Sequence, residues 1–221
     1  MTLLDYPGHV ACVVFLQGCN FKCPFCYNSS LIENGAENFL PLNDLLTFLD
    51  KRKNVLDGVA ITGGEPLVNP DIKDLIKAIK EKGLKVKLDT NGSNPYLLKE
   101  LLDEKLLDYV AMDIKNTYEK YPLTTNCKVN IDDIKKSVSI LLNSSIDYEF
   151  RTTIVKEFHS IEDFKIIGEN IKGAKNYFLQ SYQEKDSVLV KNLHRFSKDE
   201  LQACLKVVSN YVINSSIRGI D

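Results

Sequence analysis

The sequence predicts an α/β fold in which parallel strands alternate with helices. Short apolar runs alternate with segments of helical hydrophobic spacing through six units along the 221 residues. Polar or cysteine-containing motifs follow five successive predicted strands, as active groups do at the carboxyl-terminal mouth of a β/α barrel. Six units are fewer than the eight of a closed barrel, so we expect a partial (β/α)6 TIM-like barrel with an open side.

The predicted elements follow one another without an obvious linker, which predicts one domain over residues 1–221 with a core at about 8–180. Strands are expected at 10–16, 58–62, 84–88, 109–112, 148–154 and 177–180. Helices are expected over 42–49, 70–83, 95–102, 131–143, 160–173 and 197–213. Asn69 is a typical N-cap before Pro70, and Ser197 with Glu200 forms a capping box for the last helix.

The composition restricts the class of protein. A net charge of −2 and a pI near 6.0 give no reason to expect a nucleic-acid partner. No apolar run approaches the roughly 18 residues of a membrane span, and the N-terminus lacks a secretory pattern. We therefore expect a cytoplasmic protein without a membrane partner. In that compartment six cysteines favour metal or redox sites over disulfides.

Three cysteines in one loop are the strongest chemical signal. Cys19, Cys23 and Cys26 have the spacing C-x3-C-x2-C directly after the first predicted strand. Three thiolates can hold three corners of a [4Fe–4S] cluster and leave the fourth iron without a protein ligand. A zinc site completed by another residue, such as His9, and unligated thiols stay open from the spacing alone. Zinc sites usually pair two cysteine hooks, and only one is present.

Polar residues at later strand ends form a second signal. They are Gly63, Gly64 and Glu65 after the second strand, Asp89, Thr90 and Asn91 after the third, Asp113 and Lys115 after the fourth, and Arg151 in the fifth. Each motif alone is typical of a turn or a surface ion pair. Their common position at strand ends predicts that they line one mouth.

Together these motifs resemble those of a known superfamily. The pattern C-x3-C-x-aromatic-C, with Phe25 as the aromatic residue, is similar to the signature of radical S-adenosylmethionine enzymes. The segments 5–8, 15–20, 62–66, 89–92 and 112–115 resemble glycyl radical enzyme activating proteins, most closely those of anaerobic ribonucleoside-triphosphate reductase. The resemblance covers nearly the whole chain and is densest over residues 5–155.

The resemblance implies a radical SAM type of barrel and a specific activity. Such an enzyme cleaves S-adenosylmethionine reductively to a 5′-deoxyadenosyl radical, which removes hydrogen from a glycine of a partner enzyme. The implied cofactors are one [4Fe–4S] cluster on Cys19, Cys23 and Cys26, S-adenosylmethionine and, in some members, a monovalent cation. The implied partners are a glycyl radical enzyme, with anaerobic ribonucleotide reductase expected, and a low-potential electron donor such as flavodoxin or ferredoxin.

The resemblance also assigns the binding residues. Those expected to contact S-adenosylmethionine are Phe25, Gly63, Gly64, Glu65, Asp89, Thr90, Asn91, Asp113, Lys115 and Arg151. Some positions depart from the family pattern: Tyr27 replaces a frequent histidine, and Gln180 and Gln183 stand where some activating enzymes have one. His159 is expected either at the mouth or in a solvated loop. Cys12, Cys127 and Cys204 are expected to be core or incidental residues.

Three other functions remain open. The same chemistry could serve another glycyl radical enzyme, such as pyruvate formate-lyase. It could also act on a small substrate, as in a deazapurine synthase. The third is a zinc-stabilised binding module without catalysis, which metal analysis would distinguish.

Overall fold

A computed structural model describes residues 1–33, 35 and 40–220 as an α/β fold around one parallel sheet. The strands run in the order β1 to β7, and each pairs in parallel with the next. Their bounds are Ala11–Leu16 (β1), Gly58–Gly63 (β2), Lys85–Thr90 (β3), Tyr109–Asp113 (β4), Asp147–Ile154 (β5), Asn176–Ser181 (β6) and Asn214–Arg218 (β7). The outermost strands of this order are β1 and β7.

Helices connect the strands and cover the convex face of the sheet. Their bounds are Leu42–Arg52 (α1), Ile72–Glu81 (α2), Pro95–Asp103 (α3), Tyr121–Thr125 (α4), Ile131–Leu142 (α5), Asp163–Asn170 (α6) and Lys198–Val208 (α7). The buried side of α2 is typical: Ile72, Ile76 and Ile79 are at most 1% exposed. Within the described ranges, no helix is long and apolar enough to cross a membrane.

The seventh strand is the main difference from the six predicted units. The last helix was expected to continue to about residue 213, but α7 ends at Val208 and β7 begins at Asn214. The β7 sequence, NSSIR, lacks the apolar run that marks a buried strand, because an edge strand pairs on one side only. The capping box is confirmed, since Ser197 accepts a hydrogen bond from the amide of Glu200 and Glu200 accepts one in return.

The start of α2 was predicted two residues too early. A single 3₁₀ turn, Pro66–Val68, follows β2, and the helix proper begins at Ile72. The Asn69 side chain accepts a hydrogen bond from the amide of Asp71 at 2.9 Å, which forms a turn before the helix. Asn69 and Pro70 therefore follow the end of the 3₁₀ turn and do not form the start of the helix.

Strand register places charged residues together on the concave face. Residues paired in neighbouring parallel strands point their side chains to the same side, and the direction alternates along each strand. Asp113 pairs in register with Arg151, and Arg151 pairs with Phe178 on the next strand. Glu149, two positions before Arg151, shares this face. The concave face is therefore polar, whereas the apolar core lies between sheet and helices.

Candidate active site

A cavity of about 380 Å³ lies at the carboxyl ends of the strands. Its volume is within the range of small-molecule sites. Every residue predicted to hold a cluster or S-adenosylmethionine lines it: Cys19, Cys23, Phe25, Cys26, Gly63, Gly64, Glu65, Asp89, Thr90, Asn91, Asp113, Lys115 and Arg151. The structure thus brings together residues from five strand ends that are up to 132 positions apart, the separation of Cys19 and Arg151.

The cysteine loop is held in place by backbone hydrogen bonds on two sides. The amide of Lys22 donates to the carbonyl of Thr125, at the end of α4, at 2.9 Å. On the other side the amide of Val190 donates to the carbonyl of Pro24 at 3.0 Å. The loop therefore receives its shape from segments that follow β4 and β6, far from it in sequence.

The three thiols share one electrostatic environment. Burial is the largest of the effects that raise the pKa of Cys23 to about 12; Lys115 opposes it, and the neighbouring Cys26 and Cys19 thiolates add to it. Burial also raises the pKa of Cys19. Because iron binds the deprotonated thiolate, loading a cluster here would displace protons from these sulfurs.

The donor set fits a cluster better than a single metal ion. Among residues 1–33, 35 and 40–220, no three histidine, cysteine, aspartate or glutamate side chains converge on a single-ion site. Three thiolates of a [4Fe–4S] cluster bind three different irons and need not converge on one point. His9, the residue considered for zinc, precedes β1 and lies near Lys85 at the opposite ends of the strands. It is therefore remote from Cys19, which follows β1.

Gly63 and Gly64 allow close contact between β2 and the start of the cysteine loop. A Cβ atom on Gly64 would lie 2.1 Å from the carbonyl oxygen of Gly18. One on Gly63, whose φ is +114°, would lie 2.4 Å from the carbonyl oxygen of Leu16. These glycines were expected to let a ligand approach the backbone. In the structure the missing side chains leave room for the backbone of Leu16 and Gly18, which leads to Cys19.

Glu65 connects the ends of β2 and β3. Its carboxylate accepts hydrogen bonds from the hydroxyl of Thr90 at 2.7 Å, the amide of Asn91 at 2.6 Å and the amide of Leu67 at 3.0 Å. The residue is 1% exposed, and burial raises its pKa to about 7 against these three donors. Glu65 therefore shapes the cavity wall as well as lining it.

A network of alternating charges lies on the β3–β5 side of the cavity. Arg151 donates to Asp113 at 2.9 Å and to Asp89 at 3.3 Å, and Lys115 donates to Asp113 at 2.9 Å. Burial alone would raise the pKa of Asp113, but Arg151 and Lys115 outweigh it and hold that pKa at about 2. Lys87, two positions earlier on β3, forms an ion pair with Asp89. Cationic and anionic side chains therefore lie next to each other in the cavity wall, an arrangement that can bind a zwitterionic ligand.

The cavity has a further wall that sequence reasoning identified only in part. Gln180 and Gln183, whose role was open, line it together with Ser181, and so do Arg218 and Gly219 at the end of β7. No sequence motif identified Arg218 and Gly219, because β7 was not predicted. A basic residue in a short polar C-terminal segment carries no chemical signal by itself.

Both expectations for His159 are wrong. The residue is buried at 5% exposure and does not line the cavity within the described part of the chain. Its Nε2 lies 2.9 Å from the carbonyl oxygen of Lys115, and its Nδ1 faces the backbone of Val155. Burial lowers its pKa, so the neutral ring links the β4 exit to the β5 exit. It positions Lys115.

The remaining cysteines differ in their surroundings. Cys12 and Cys204 are buried in the apolar core, as expected. Cys127 lies against the cysteine loop, where its thiol is 3.5 Å from the carbonyl oxygen of Asn20. That contact helps to cover the loop from the α4 side.

Comparison with known proteins agrees with this geometry. The family model of the radical SAM superfamily matches residues 13–166. A Methanocaldococcus jannaschii protein named as a glycyl-radical enzyme activating enzyme is 32% identical over 100% of this chain and 94% of its own length. The pyruvate formate-lyase-activating enzyme of Clostridium pasteurianum is 27% identical over 91% of this chain and 95% of its own.

Solved structures support the fold. Streptococcus suis SuiB bound to S-adenosylmethionine has a TM-score of 0.72 and 21% identity over 95% of this chain. Native anSMEcpe with bound AdoMet has a TM-score of 0.64 and 17% identity over 91% of this chain. The chain spans 50% and 60% of the lengths of these two structures. The expected partial TIM-like barrel is confirmed.

The fold and the cysteine-lined cavity define a radical SAM enzyme, and the chain belongs to the glycyl-radical enzyme activating enzymes within that superfamily. The family uses a [4Fe–4S] cluster and S-adenosylmethionine. This membership overturns the alternative of a zinc-stabilised module without catalysis.

Proposed function

We propose that the chain activates a glycyl radical enzyme, with anaerobic ribonucleoside-triphosphate reductase as the partner. The observation that supports this most directly is the convergence of three cysteines and ten further predicted residues on one cavity. When bound, the reduced cluster supplies the electron that cleaves S-adenosylmethionine to a 5′-deoxyadenosyl radical, which takes hydrogen from the partner's glycine. The protein's own task is to bind, orient and enclose.

Cys19, Cys23 and Cys26 would hold the cluster, and the β3–β5 side would hold the methionyl part of S-adenosylmethionine. Lys115 and Arg151 offer cationic groups to a carboxylate, and Asp113 stays ionised at neutral pH and offers an acceptor to an ammonium group. Phe25 packs against Phe158 at 5.7 Å between ring centroids, which keeps an apolar surface in the cavity wall.

The open edge of the barrel suits a protein substrate. β1 and β7 are the edge strands, and Phe15 on β1 is 54% exposed on the concave face. A peptide loop could enter at this side, whereas a closed barrel would admit only a small molecule. Because the cluster needs reduced thiolates, we place this reaction in the cytoplasm, with a low-potential flavodoxin or ferredoxin as the donor.

Two alternatives are favoured by particular relatives. The Clostridium pasteurianum relative points to pyruvate formate-lyase as the glycyl partner. A 7-carboxy-7-deazaguanine synthase of Methanocaldococcus jannaschii, 29% identical over 79% of this chain, represents small-substrate chemistry. We favour ribonucleotide reductase because the motifs at residues 5–8, 15–20 and 62–66 resemble its activating proteins.

The test is glycyl radical formation under anaerobic conditions. Reconstituted, reduced protein is mixed with S-adenosylmethionine and either anaerobic ribonucleotide reductase or pyruvate formate-lyase. We expect the glycyl doublet in the electron paramagnetic resonance spectrum with the reductase only. A doublet only with pyruvate formate-lyase would reassign the partner. A doublet with neither enzyme, while a small molecule increases 5′-deoxyadenosine release, would favour a small substrate.

A further inference from the structure

The two edge strands of the sheet differ in chemistry. β1 has the sequence ACVVFL, without a charged residue or a proline, whereas β7 has the polar sequence NSSIR and ends in Arg218. Soluble proteins usually protect an edge strand with charges or prolines, because its free backbone groups pair readily with another extended chain. The β1 edge has neither protection and is therefore the better surface for such pairing.

The backbone groups of β1 alternate between β2 and the open edge. The carbonyl oxygen of Leu16 accepts a hydrogen bond from the amide of Gly64, which directly follows β2, at 2.8 Å. Ala11 bonds in the other direction, since its amide and its carbonyl oxygen pair with Thr2 at 3.0 and 2.7 Å. Even-numbered residues of β1 therefore bond towards β2, and odd-numbered residues face the edge.

Val13 and Phe15 occupy the free part of this edge. By the same alternation their N–H and C=O groups point outward, and these groups have no hydrogen-bond partner among the residues that the structure describes. Thr2 covers the edge at Ala11, so the free groups lie in the half of β1 nearest the cofactor cavity. Two donors and two acceptors are thus available there to an extended chain.

The side chains of Val13 and Phe15 lie on the concave face beside small residues of β2. Val13 pairs in register with Ala60, and Phe15 pairs with Thr62, which lines the cofactor cavity. The Phe15 side chain is 54% exposed. An aromatic ring on one strand packs well over a glycine of the neighbouring strand, because the glycine has no side chain of its own. This part of the edge therefore fits a strand that contains glycine.

We propose that the glycine-containing segment of the partner enzyme binds as an added strand along β1, paired with the backbone of Val13 and Phe15 and covered by the Phe15 ring. Strand addition takes its affinity from main-chain hydrogen bonds, which fits a segment whose reacting residue has no side chain. The added strand leads to the cavity, because β1 continues into the Cys19 loop and Phe15 lies beside Thr62. This inference rests on the proposed function, which supplies a glycyl radical enzyme as the partner.

Three variants separate the backbone of the edge from the ring. Phe15→Ala removes the ring and keeps the free edge, and Phe15→Lys adds the kind of charge with which edge strands resist pairing. Val13→Pro removes an outward N–H that has no partner in the described part of the chain, so the β1–β2 ladder keeps its hydrogen bonds. Val55→Lys is the matched control, because Val55 is 52% exposed and precedes β2, at the opposite ends of the strands.

The first experiment compares two activities of the cluster-loaded, reduced protein. One is 5′-deoxyadenosine release from S-adenosylmethionine without a partner. The other is the glycyl doublet on anaerobic ribonucleotide reductase or pyruvate formate-lyase, whichever the unmodified protein activates. We expect the rate of glycyl radical formation to fall about tenfold in Phe15→Lys and Val13→Pro and about threefold in Phe15→Ala, while partner-free release changes less than about twofold. Val55→Lys should match the unmodified protein in both activities.

The second experiment is hydrogen exchange at the backbone amides of Val13 and Phe15, which reports on strand addition itself. We expect both amides to exchange about tenfold more slowly when the partner enzyme is added, because each then donates to the added strand. Their exchange should not change when the chain is concentrated without the partner.

Different results would overturn this inference and the proposed function. Normal glycyl radical formation in a folded Phe15→Lys protein, or partner binding that leaves both amides exchanging freely, would show that the partner does not pair with β1. Slow exchange that depends on the concentration of the chain alone would assign the edge to a second copy of the chain. A doublet on neither enzyme with the unmodified protein would overturn the proposed function, and this inference with it.

Discussion

Glu65 illustrates how one residue can serve both the fold and the site. Its carboxylate accepts three hydrogen bonds, two of them from backbone amides of Leu67 and Asn91 on different elements. The sequence predicted a ligand contact from the Gly-Gly-Glu motif. The geometry adds that the same carboxylate joins two strand ends, which no pattern in one strand could reveal.

Glu65→Gln should destabilise the fold by about 1–3 kcal/mol. In either orientation the new amide nitrogen would face one of the two backbone N–H groups, of Leu67 or of Asn91, and that buried donor would lose its acceptor. Urea unfolding measures the loss. Glu81→Gln, at an exposed position near the end of α2, is the matched control and should change stability by less than about 0.5 kcal/mol. An equal effect in both variants would contradict this role.

Glu65 should also give a distinctive pH dependence. Its pKa in the folded protein is raised from 4.5 to about 7, so between these values the folded state holds a proton that the unfolded chain has released. The group's contribution to stability therefore falls as pH rises through this window, by at most about 1.4 kcal/mol per pH unit.

The measurement is urea unfolding of cluster-free, reduced protein at pH 5.5 and pH 7.5, for the unmodified chain and Glu65→Gln. The difference in stability between the two proteins should be larger at pH 5.5. A difference that grows toward pH 7.5 would mean that the three donors keep Glu65 ionised despite its burial.

At the scale of the element, the exit of β2 is the tightest junction in the site. Gly64→Ala would place a Cβ 2.1 Å from the carbonyl oxygen of Gly18, so the backbone before Cys19 must move. We expect this variant to lose most of its bound iron after anaerobic reconstitution. Iron content per chain is the readout.

Gly83→Ala is the control for that experiment. Gly83 has a φ of +78° but open space around a Cβ, so alanine there adds backbone strain without a clash. It should cost roughly 1 kcal/mol of stability and leave the iron content unchanged. Normal iron content in Gly64→Ala would show that the loop tolerates displacement.

The capping box of α7 gives a prediction for an element remote from the cysteines. Ser197→Ala removes the side chain that accepts from the amide of Glu200 and should cost about 1 kcal/mol. Ser30→Ala, at an exposed position, should be nearly neutral. Equal midpoints of urea unfolding for the two variants would show that the cap adds little to α7.

At the scale of the whole molecule, the sequence predicted the chemistry better than the architecture of the open edge. The cysteine spacing and the polar strand ends identified residues that the structure brings into one cavity, because parallel strands place their exits on one side of the sheet. β7 was not predicted, since Asn214–Arg218 is a polar edge strand without a hydrophobic pattern. Arg218 was therefore missed with it.

His159 shows a second limit of sequence reasoning. A histidine after a strand in a barrel is typical of a mouth residue, yet both ring nitrogens are used by backbone groups of Lys115 and Val155. Whether a polar side chain faces a ligand or a neighbouring loop depends on the packing of residues distant in sequence. The same reason explains the contact of Cys127 with the cysteine loop.

The central claim is that three cysteines hold a cluster with one iron free for S-adenosylmethionine. The most direct measurement is the electron paramagnetic resonance spectrum of the reduced, anaerobically reconstituted protein, recorded with and without S-adenosylmethionine beside iron and sulfide analysis. We predict equal amounts of iron and acid-labile sulfide and a spectrum that changes on addition, both lost in Cys23→Ala and retained in Cys204→Ala. Bound zinc, or a cluster spectrum indifferent to S-adenosylmethionine, would contradict the account.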